Sequence, residues 1–124
     1  MMSVLKDFYT VKSIQQTGDL EYLIEISLNA SHEIFKGHFP ANPVTPGVCT
    51  MQIVKDLTEF FSNEKLLLSS ASNVKFMAII NPETDPELQL ELVLQRNDGE
   101  IKTKASASFG ETVAMKMSAT YKVI

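Results

Sequence analysis

The hydrophobic and polar positions along this chain predict six β-strands and one helix. Six stretches are rich in β-branched or aromatic residues, or alternate apolar with polar positions as half-buried strands do. They lie at 8–14, 21–28, 73–80, 87–94, 101–109 and 112–123. Between the second and third stretches, apolar residues at 51, 54, 57, 60 and 61 recur at helical spacing, which predicts a helix over 48–61.

Turn-forming residues separate the predicted strands. Gly18 lies between the first two, the triplet Asn97-Asp98-Gly99 favours a tight hairpin, and Gly110 precedes the last strand. The order is therefore two strands, a loop, one helix and four strands. An antiparallel sheet wrapped around the helix buries the apolar stripe of the helix and one face of every strand in one core. We expect an α+β fold with one long central helix.

Composition narrows the classes of protein that fit. A chain of 124 residues with 44% hydrophobic content is long enough for a single core, so residues 1–124 are expected to form one domain. The balance of 11 basic against 15 acidic residues provides no basic stripe of the kind that nucleic-acid binding requires. Nucleic acid is therefore not an expected partner.

Export and membrane insertion are not expected either. Lys6 and Asp7 interrupt the apolar start, so no secretory signal is predicted. No apolar run approaches the ~20 residues that span a bilayer. Cys49 is the only cysteine, which excludes an internal disulfide, and we interpret it as a small packed residue. We expect a cytoplasmic protein without membrane association.

The loop before the helix holds the most distinctive chemistry. Residues 37–48 combine His38 with three prolines and two glycines, and each proline restricts its own backbone and that of the residue before it. The loop is therefore stiff around one imidazole. The backbone N–H groups of Gly47 and Val48 fall where the helix begins, and the first N–H groups of a helix have no partner within it. They can receive a carbonyl oxygen that gains negative charge, as an oxyanion site requires.

These residues carry a resemblance to a known family. The segments His38-Phe39-Pro40, Asn42-Pro43-Val44 and Pro46-Gly47-Val48, in this order, resemble the 3-hydroxyacyl-[acyl-carrier-protein] dehydratase family of the hotdog-fold superfamily. The resemblance extends over nearly the whole chain and implies a hotdog domain over 1–124. It also implies a homodimer or larger oligomer, an acyl thioester of acyl carrier protein or coenzyme A as partner, and no cofactor or metal. His32 is interpreted as structural.

The resemblance assigns roles to particular residues, and one of them departs from the family. The histidine of the family's loop, here His38, removes the α-proton of the 3-hydroxyacyl thioester. An acid on the central helix of the neighbouring subunit protonates the leaving β-hydroxyl, five residues beyond the glycine. Here that position is Gln52. An amide has no proton to give, and general acid–base groups usually contribute about 10²–10⁴-fold.

Three explanations for Gln52 are open. Gln52 orients a water or the hydroxyl, Asp56 one helical turn later supplies the carboxyl, or the protein no longer catalyses dehydration. A turn is about 5.4 Å, which is a large displacement for chemistry that needs hydrogen-bond contact. We therefore favour the interpretation of Asp56 as part of a solvated helix face with Lys55 and Glu59. Along the helix, Met51, Val54, Leu57 and Phe60 are expected to be core.

Three functions fit the sequence. The first is a dehydratase-like homodimer of fatty-acid or related acyl-chain biosynthesis, with His38 as base, Gly47 and Val48 polarising the thioester carbonyl, and Gln52 holding water or the hydroxyl. The second is a non-catalytic acyl-binding or partner subunit that has lost its acid. The third is an acyl thioesterase, because hotdog proteins also hydrolyse acyl thioesters.

Overall fold

The computed structural model describes residues 7–36 and 44–124, which form six strands and two helices. The strands are β1 (Tyr9–Gly18), β2 (Glu21–Leu28), β3 (Leu66–Phe76), β4 (Glu87–Asn97), β5 (Glu100–Phe109) and β6 (Thr112–Val123). The helices are α1 (Glu33–Lys36) and α2 (Gly47–Ser62). The predicted order of strands around one main helix is confirmed, and the four-residue α1 is an addition to it.

The six strands form one antiparallel sheet in the order β1-β2-β4-β5-β6-β3. The helix α2 packs against β3, β4 and β5. Burial alternates strictly along β4, whose inward-facing residues are Leu88, Leu90, Leu92 and Leu94. The strands β2, β4, β5 and β6 bury one face in this way, as expected of an antiparallel sheet with one covered side. The expectation that every strand buries one face is wrong for the edge strands β1 and β3, which are exposed along nearly their whole length because α2 covers only the middle of the sheet and the start of β3. The predicted α+β architecture, a sheet against one central helix, is confirmed.

The predicted hairpin turns have the backbone geometry that their residues favour. Gly99 joins β4 to β5 with φ at 71°, and Gly110 joins β5 to β6 with φ at 57°. Both angles lie in the left-handed region that glycine enters at little cost. The two turns fix the register of the three central strands.

The third strand is shifted from its predicted position. It was expected at 73–80, but β3 begins at Leu66 and ends at Phe76. Its middle is the serine-rich segment 69–72, which has neither the β-branched residues nor the alternation that mark a strand in sequence. Asn73 adopts a φ of 54°, and the pairing with β6 shifts between Ser72 and Lys75. This bulge ends the regular strand early.

The two ends of α2 differ in how they are capped. At its start the N-cap is Pro46, which offers no side-chain hydrogen bond. At its end Asn63 takes the left-handed conformation and donates its N–H to Glu59 O at 2.9 Å. Arg96 of β4 donates from Nη2 to Ser62 O at 2.7 Å, which fastens the end of the helix to the sheet. None of the helices in the described ranges has the length and apolar character needed to cross a membrane.

Replacing Arg96 with leucine should loosen the end of α2. The change removes the charge-assisted donor to Ser62 O, and we expect a loss of about 1 kcal/mol in the free energy of unfolding. Urea unfolding measures it. Gln95→Leu, the neighbouring change on the same strand, should alter stability by less than about half of that. Equal effects for the two variants would show that the Arg96 contact contributes nothing.

Candidate active site at the start of the central helix

The structure brings three of the four predicted site residues onto one helix and leaves the fourth outside its description. His38 falls within 37–43, outside the described residues. Gly47 and Val48 form the first turn of α2, and Gln52 lies in the second turn. The assignment of His38 as base therefore remains a prediction. The geometry of the other three can be examined directly.

Two backbone N–H groups at the start of α2 lack an acceptor. The N–H groups of Cys49 and Thr50 donate to Pro46 O, at 2.9 and 3.4 Å. Within the described part of the chain, the preceding N–H groups of Gly47 and Val48 donate to nothing. The partial positive charge of the helix N-terminus adds to theirs. The start of α2 is thus chemically suited to an oxygen that carries negative charge.

An aromatic ring lies directly against Gly47. A Cβ built on Gly47 would stand 2.6 Å from Cζ of Phe76, far inside van der Waals contact. Two backbone hydrogen bonds hold the chain segments in this arrangement: Thr45 N–H donates to Ile80 O at 2.9 Å, and Met77 N–H donates to Ala114 O at 2.8 Å. The Phe76 side chain is still 54% exposed. Glycine at position 47 is therefore set by the close approach of a ring.

A small cleft begins at the same helix turn. It has a volume of about 200 Å³ and runs between α2, β3 and β6. Its lining is mainly apolar and comprises Val48, Met51, Gln52, Lys55, Leu68, Met117 and Tyr121. Gln52 is one of its few polar groups, as in ligand sites where a few polar atoms orient an apolar ligand.

The Gln52 side chain donates a hydrogen bond to a carboxylate, which in turn accepts one from a phenol. Gln52 Nε2 donates to Asp56 Oδ1 at 3.0 Å, and Tyr9 OH donates to Asp56 Oδ2 at 3.1 Å. Burial raises the pKa of Tyr9, the negative charge of Asp56 raises it further, and so does their hydrogen bond. The phenol is therefore a stable donor at neutral pH. No local sequence pattern points to Tyr9, because it lies 47 positions from Asp56 in the chain.

The expectation of a solvated face at Lys55, Asp56 and Glu59 is wrong. Glu59 is only 7% exposed, and its Oε2 accepts the N–H of Leu66 at 2.9 Å while lying 3.9 Å from Lys55 Nζ. Phe60, expected in the core, is instead 68% exposed. The buried face of α2 thus lies about one position from the predicted stripe. It consists of Cys49, Thr50, Ile53, Val54, Leu57, Thr58, Glu59 and Ser62. Four of these residues are polar, Thr50, Thr58, Glu59 and Ser62, so a hydrophobic pattern does not identify this face.

Tyr121 is enclosed among these acidic groups. It is fully buried on β6, and burial raises its pKa, with smaller contributions from the charges of Glu59 and Asp56. The phenol therefore remains neutral at any physiological pH. It closes the inner end of the cleft without adding a charge.

A second, larger cavity of about 650 Å³ lies on the other side of Asp56. It is bounded by β1 and the last two turns of α2 and lined by Tyr9, Val11, Ile14, Asp56, Leu57, Glu59, Phe60, Asn63, Glu64 and Lys65. Of these two cavities, Gln52 lines the small cleft and Asp56 lines the larger one. The hydrogen bond between them joins the two.

Comparison with known proteins places the chain in a family. The profile of the ApeI-like family, described as ApeI dehydratase, matches residues 13–116, which is most of the chain. The chain belongs to the ApeI-like dehydratase family. The dehydratase heterocomplex ApeI:P from Xenorhabdus doucetiae has the same fold, with a TM-score of 0.74 at 20% identity over 91% of this chain and 96% of that one. The predicted hotdog fold is confirmed.

Curated relatives of this ApeI-like protein are named 3-hydroxyacyl-[acyl-carrier-protein] dehydratase FabZ. The relative from Levilactobacillus brevis is 33% identical over 105 residues, which cover 78% of this chain and 70% of the relative. The relative from Lactiplantibacillus plantarum is 24% identical over 135 aligned residues, which cover 99% of this chain and 90% of the relative. The resemblance predicted from the loop and helix start is confirmed.

Two other residues with reactive side chains, Cys49 and His32, contact neighbouring parts of the fold. Cys49 is buried and burial raises its pKa, so its sulfur stays a thiol, in agreement with its interpretation as a packed residue. His32 accepts the N–H of Ile34 at Nδ1, at 3.1 Å, and its ring meets that of Phe8 edge-on. Within the described ranges, no three His, Cys, Asp or Glu side chains are grouped so as to hold a metal ion.

Because Phe76 lies so close to Gly47, the effect of Gly47→Ala on the free energy of unfolding should differ between the wild-type protein and the Phe76→Ala variant. Gly47→Ala alone forces the ring away and should lower the free energy of unfolding by about 1 kcal/mol. In a Phe76→Ala background the same change meets open space, and the helix preference of alanine over glycine should make it neutral or stabilising by up to about 1 kcal/mol. Urea unfolding of the four proteins measures both effects. The same cost in both backgrounds would refute the contact.

Proposed function

We propose that this chain is a dehydratase-like hotdog protein that acts on a 3-hydroxyacyl thioester, or in reverse on its 2-enoyl product. The substrate is carried on acyl carrier protein, and residues 1–124 act as a single cytoplasmic domain. Family membership and the names of the curated relatives support the reaction class. The observation that carries the proposal is the pair of N–H groups at Gly47 and Val48, which find no acceptor among residues 7–36 and 44–124 and begin the helix whose Val48 lines an apolar cleft.

In this proposal the start of α2 binds the thioester carbonyl. Removal of the α-proton places negative charge on the carbonyl oxygen, and the N–H groups of Gly47 and Val48 stabilise that charge better than the neutral ground state. His38 takes the α-proton. The electrons of the C–H bond form the C=C bond, the β C–O bond breaks, and the hydroxyl departs as water after gaining a proton.

Gln52 shapes the second half of the reaction. A side-chain amide cannot deliver a proton, so Gln52 binds the leaving hydroxyl or the attacking water by a hydrogen bond. The proton that completes the departing water then comes from the imidazolium of His38, which has just received the α-proton. One acid–base group thus serves both steps, and the elimination balances without an acid on the helix.

Hydration of a 2-enoyl thioester tests the proposal. The wild-type protein should convert carrier-bound 2-enoyl substrates to 3-hydroxyacyl products, and His38→Ala should reduce the rate by about 10²-fold or more because the base is gone. Loss of enoyl absorbance and mass spectrometry of the acyl carrier measure turnover. Gln95→Leu serves as a control away from the cleft. Absence of turnover on carriers of several chain lengths would overturn the enzymatic proposal, and release of free thiol would indicate a thioesterase.

Restoring the acid should raise the rate. Gln52→Glu places a second carboxyl about one hydrogen-bond length from Asp56, since Gln52 Nε2 now lies 3.0 Å from Asp56 Oδ1. Two carboxylates that close cannot both ionise easily, so the pair retains a proton to higher pH than either alone. We expect the hydration rate to rise about tenfold or more and to fall as pH rises through the upper pKa of the pair. An unchanged rate and pH profile would contradict this role for position 52.

A second candidate function is that of a partner subunit, and the amide at position 52 favours it. Such a subunit binds the acyl chain while an acid from another hotdog chain completes the site. The ApeI:P neighbour is named as a heterocomplex, which supports pairing of unlike subunits. Binding of an acyl carrier protein without turnover, together with turnover on adding an acid-bearing partner, would identify this function.

The edge of the sheet at β3 supports self-association. Among the strands that the structure describes, β3 lies at the edge and pairs with β6 alone, and its exposed side chains include Leu67, Leu68 and Phe76. An unpaired edge with apolar side chains is a surface that folded proteins normally cover. We propose that a second copy of this chain covers it, continuing the sheet across a two-fold axis and adjoining the cleft, to which β3 contributes Leu68.

Light scattering tests the dimer. Wild-type protein should have twice the 13.8 kDa mass of one chain. Leu67→Lys places like charges at the symmetric edge and should raise the dimer dissociation constant by about tenfold or more. The matched control Val93→Lys changes an exposed apolar residue on a central strand and should leave the mass unchanged. A monomeric wild-type protein would exclude the homodimer.

A further inference from the structure

The orientation of the Gln52 amide is set by its neighbour. An ionised carboxylate can only accept hydrogen bonds, whereas a glutamine amide donates through its nitrogen and accepts through its oxygen. The 3.0 Å contact between the Gln52 amide and Asp56 Oδ1 therefore requires the nitrogen to face Asp56. The carbonyl oxygen, Oε1, is then the polar end that is left for the cleft, and no donor from the described residues occupies it.

Tyr9 strengthens this arrangement from the other side of Asp56. Its hydroxyl donates to Asp56 Oδ2 at 3.1 Å, so the carboxylate receives donors on both oxygens. The three side chains are on two different elements, β1 and α2, and the contact therefore fixes the amide relative to the sheet as well as along the helix.

We propose that Asp56, held by Tyr9, is a positioning residue that turns the carbonyl oxygen of Gln52 toward the cleft, so that Gln52 accepts a hydrogen bond from the substrate β-hydroxyl or water. This inference rests on the proposed reaction for its substrate. It assigns a definite direction to the hydrogen bond: the ligand donates and the protein accepts. It also explains why the departing oxygen receives no proton from this side of the site.

The same geometry argues against a direct chemical role for Asp56. Asp56 lines the larger cavity beyond the small cleft, and its two oxygens are engaged by Gln52 and Tyr9. A general acid must reach the reacting oxygen within hydrogen-bond distance. Asp56 reaches Gln52 instead, and it therefore acts through the amide.

Substitutions that preserve or destroy the orientation separate the two roles. In Asp56→Asn, the new amide can turn its NH₂ toward the Tyr9 oxygen, which also accepts, and keep its own oxygen on Gln52 Nε2. We expect hydration with kcat within about threefold of wild type. In Asp56→Leu nothing holds the Gln52 nitrogen, and kcat should fall about 10- to 100-fold with KM within about threefold.

Tyr9 supplies the decisive cross-test. Tyr9→Phe alone leaves the carboxylate on Gln52, so kcat should stay within about threefold of wild type. Tyr9→Phe combined with Asp56→Asn removes the phenol oxygen that accepts the asparagine NH₂ in the single variant, so either end of that amide can face Gln52. The kcat of the double variant should fall about tenfold or more, which exceeds the product of the effects of the two single substitutions. Glu64→Gln, another carboxylate lining the larger cavity, is the matched control and should change nothing.

Two activity results would overturn the proposal. A loss of about 10²-fold or more in Asp56→Asn would identify Asp56 as the acid itself, since that variant keeps the hydrogen bond and removes only the proton. Retention of wild-type kcat in Asp56→Leu would show that the amide needs no support. Urea unfolding of each variant separates these results from loss of folding.

NMR spectroscopy tests the positioning of Gln52 without requiring the protein to be catalytically active. The side-chain NH₂ resonances of Gln52, assigned by their loss in Gln52→Glu, should lie further downfield in the wild type than in Asp56→Leu, because the hydrogen bond to Asp56 Oδ1 deshields the donated proton. Glu64→Gln, which leaves this hydrogen bond in place, is the control and should keep the wild-type resonances. Equal resonances in the wild type and Asp56→Leu would refute the positioning role, whereas an inactive wild type with the downfield resonances would refute only the reaction.

Discussion

The structure depends on the burial of one face of α2 against an antiparallel sheet. The helix buries apolar side chains such as Ile53 and Val54 on the inner faces of β3, β4 and β5, and neither element could keep its apolar face from water alone. Because the helix lies across the sheet, its first turn meets the segment after β3, where Thr45 bonds to Ile80 and Phe76 rests on Gly47. The packing that forms the core thus also fixes the helix N-terminus.

The same packing buries polar side chains on and near α2 and determines their hydrogen bonds. Glu59 is a buried carboxylate held by the N–H of Leu66, and Tyr121 is enclosed near it with a raised pKa. Buried polar groups are costly unless they are hydrogen-bonded, so such contacts specify how the helix rotates on the sheet. This rotation, which exposes Phe60 and buries Glu59, directs Gln52 toward one cavity and Asp56 toward another.

In the proposed reaction, an amide at position 52 stands where the resemblance places an acid. Exchanging a carboxyl for an amide removes the proton but keeps the capacity to bind an oxygen ligand. In the proposed arrangement, the neighbouring carboxylate determines which end of the amide the ligand meets. The structure shows the contacts on which this proposal rests: two side chains one helical turn apart share a hydrogen bond, and a tyrosine from the first strand donates to the same carboxylate.

The sequence by itself determined the order of the elements, the antiparallel sheet, the hairpins at Gly99 and Gly110, and the family. Alternation, helical spacing and turn residues are local signals, and the loop and helix-start motifs are contiguous. Only the tertiary structure decided the early start of β3, the rotation of α2 and the contact of Tyr9 with Asp56. Serine-rich edge strands carry little local preference, and a helix with buried threonine and glutamate misleads a hydrophobic pattern. Contacts between distant residues exist only once the chain has packed.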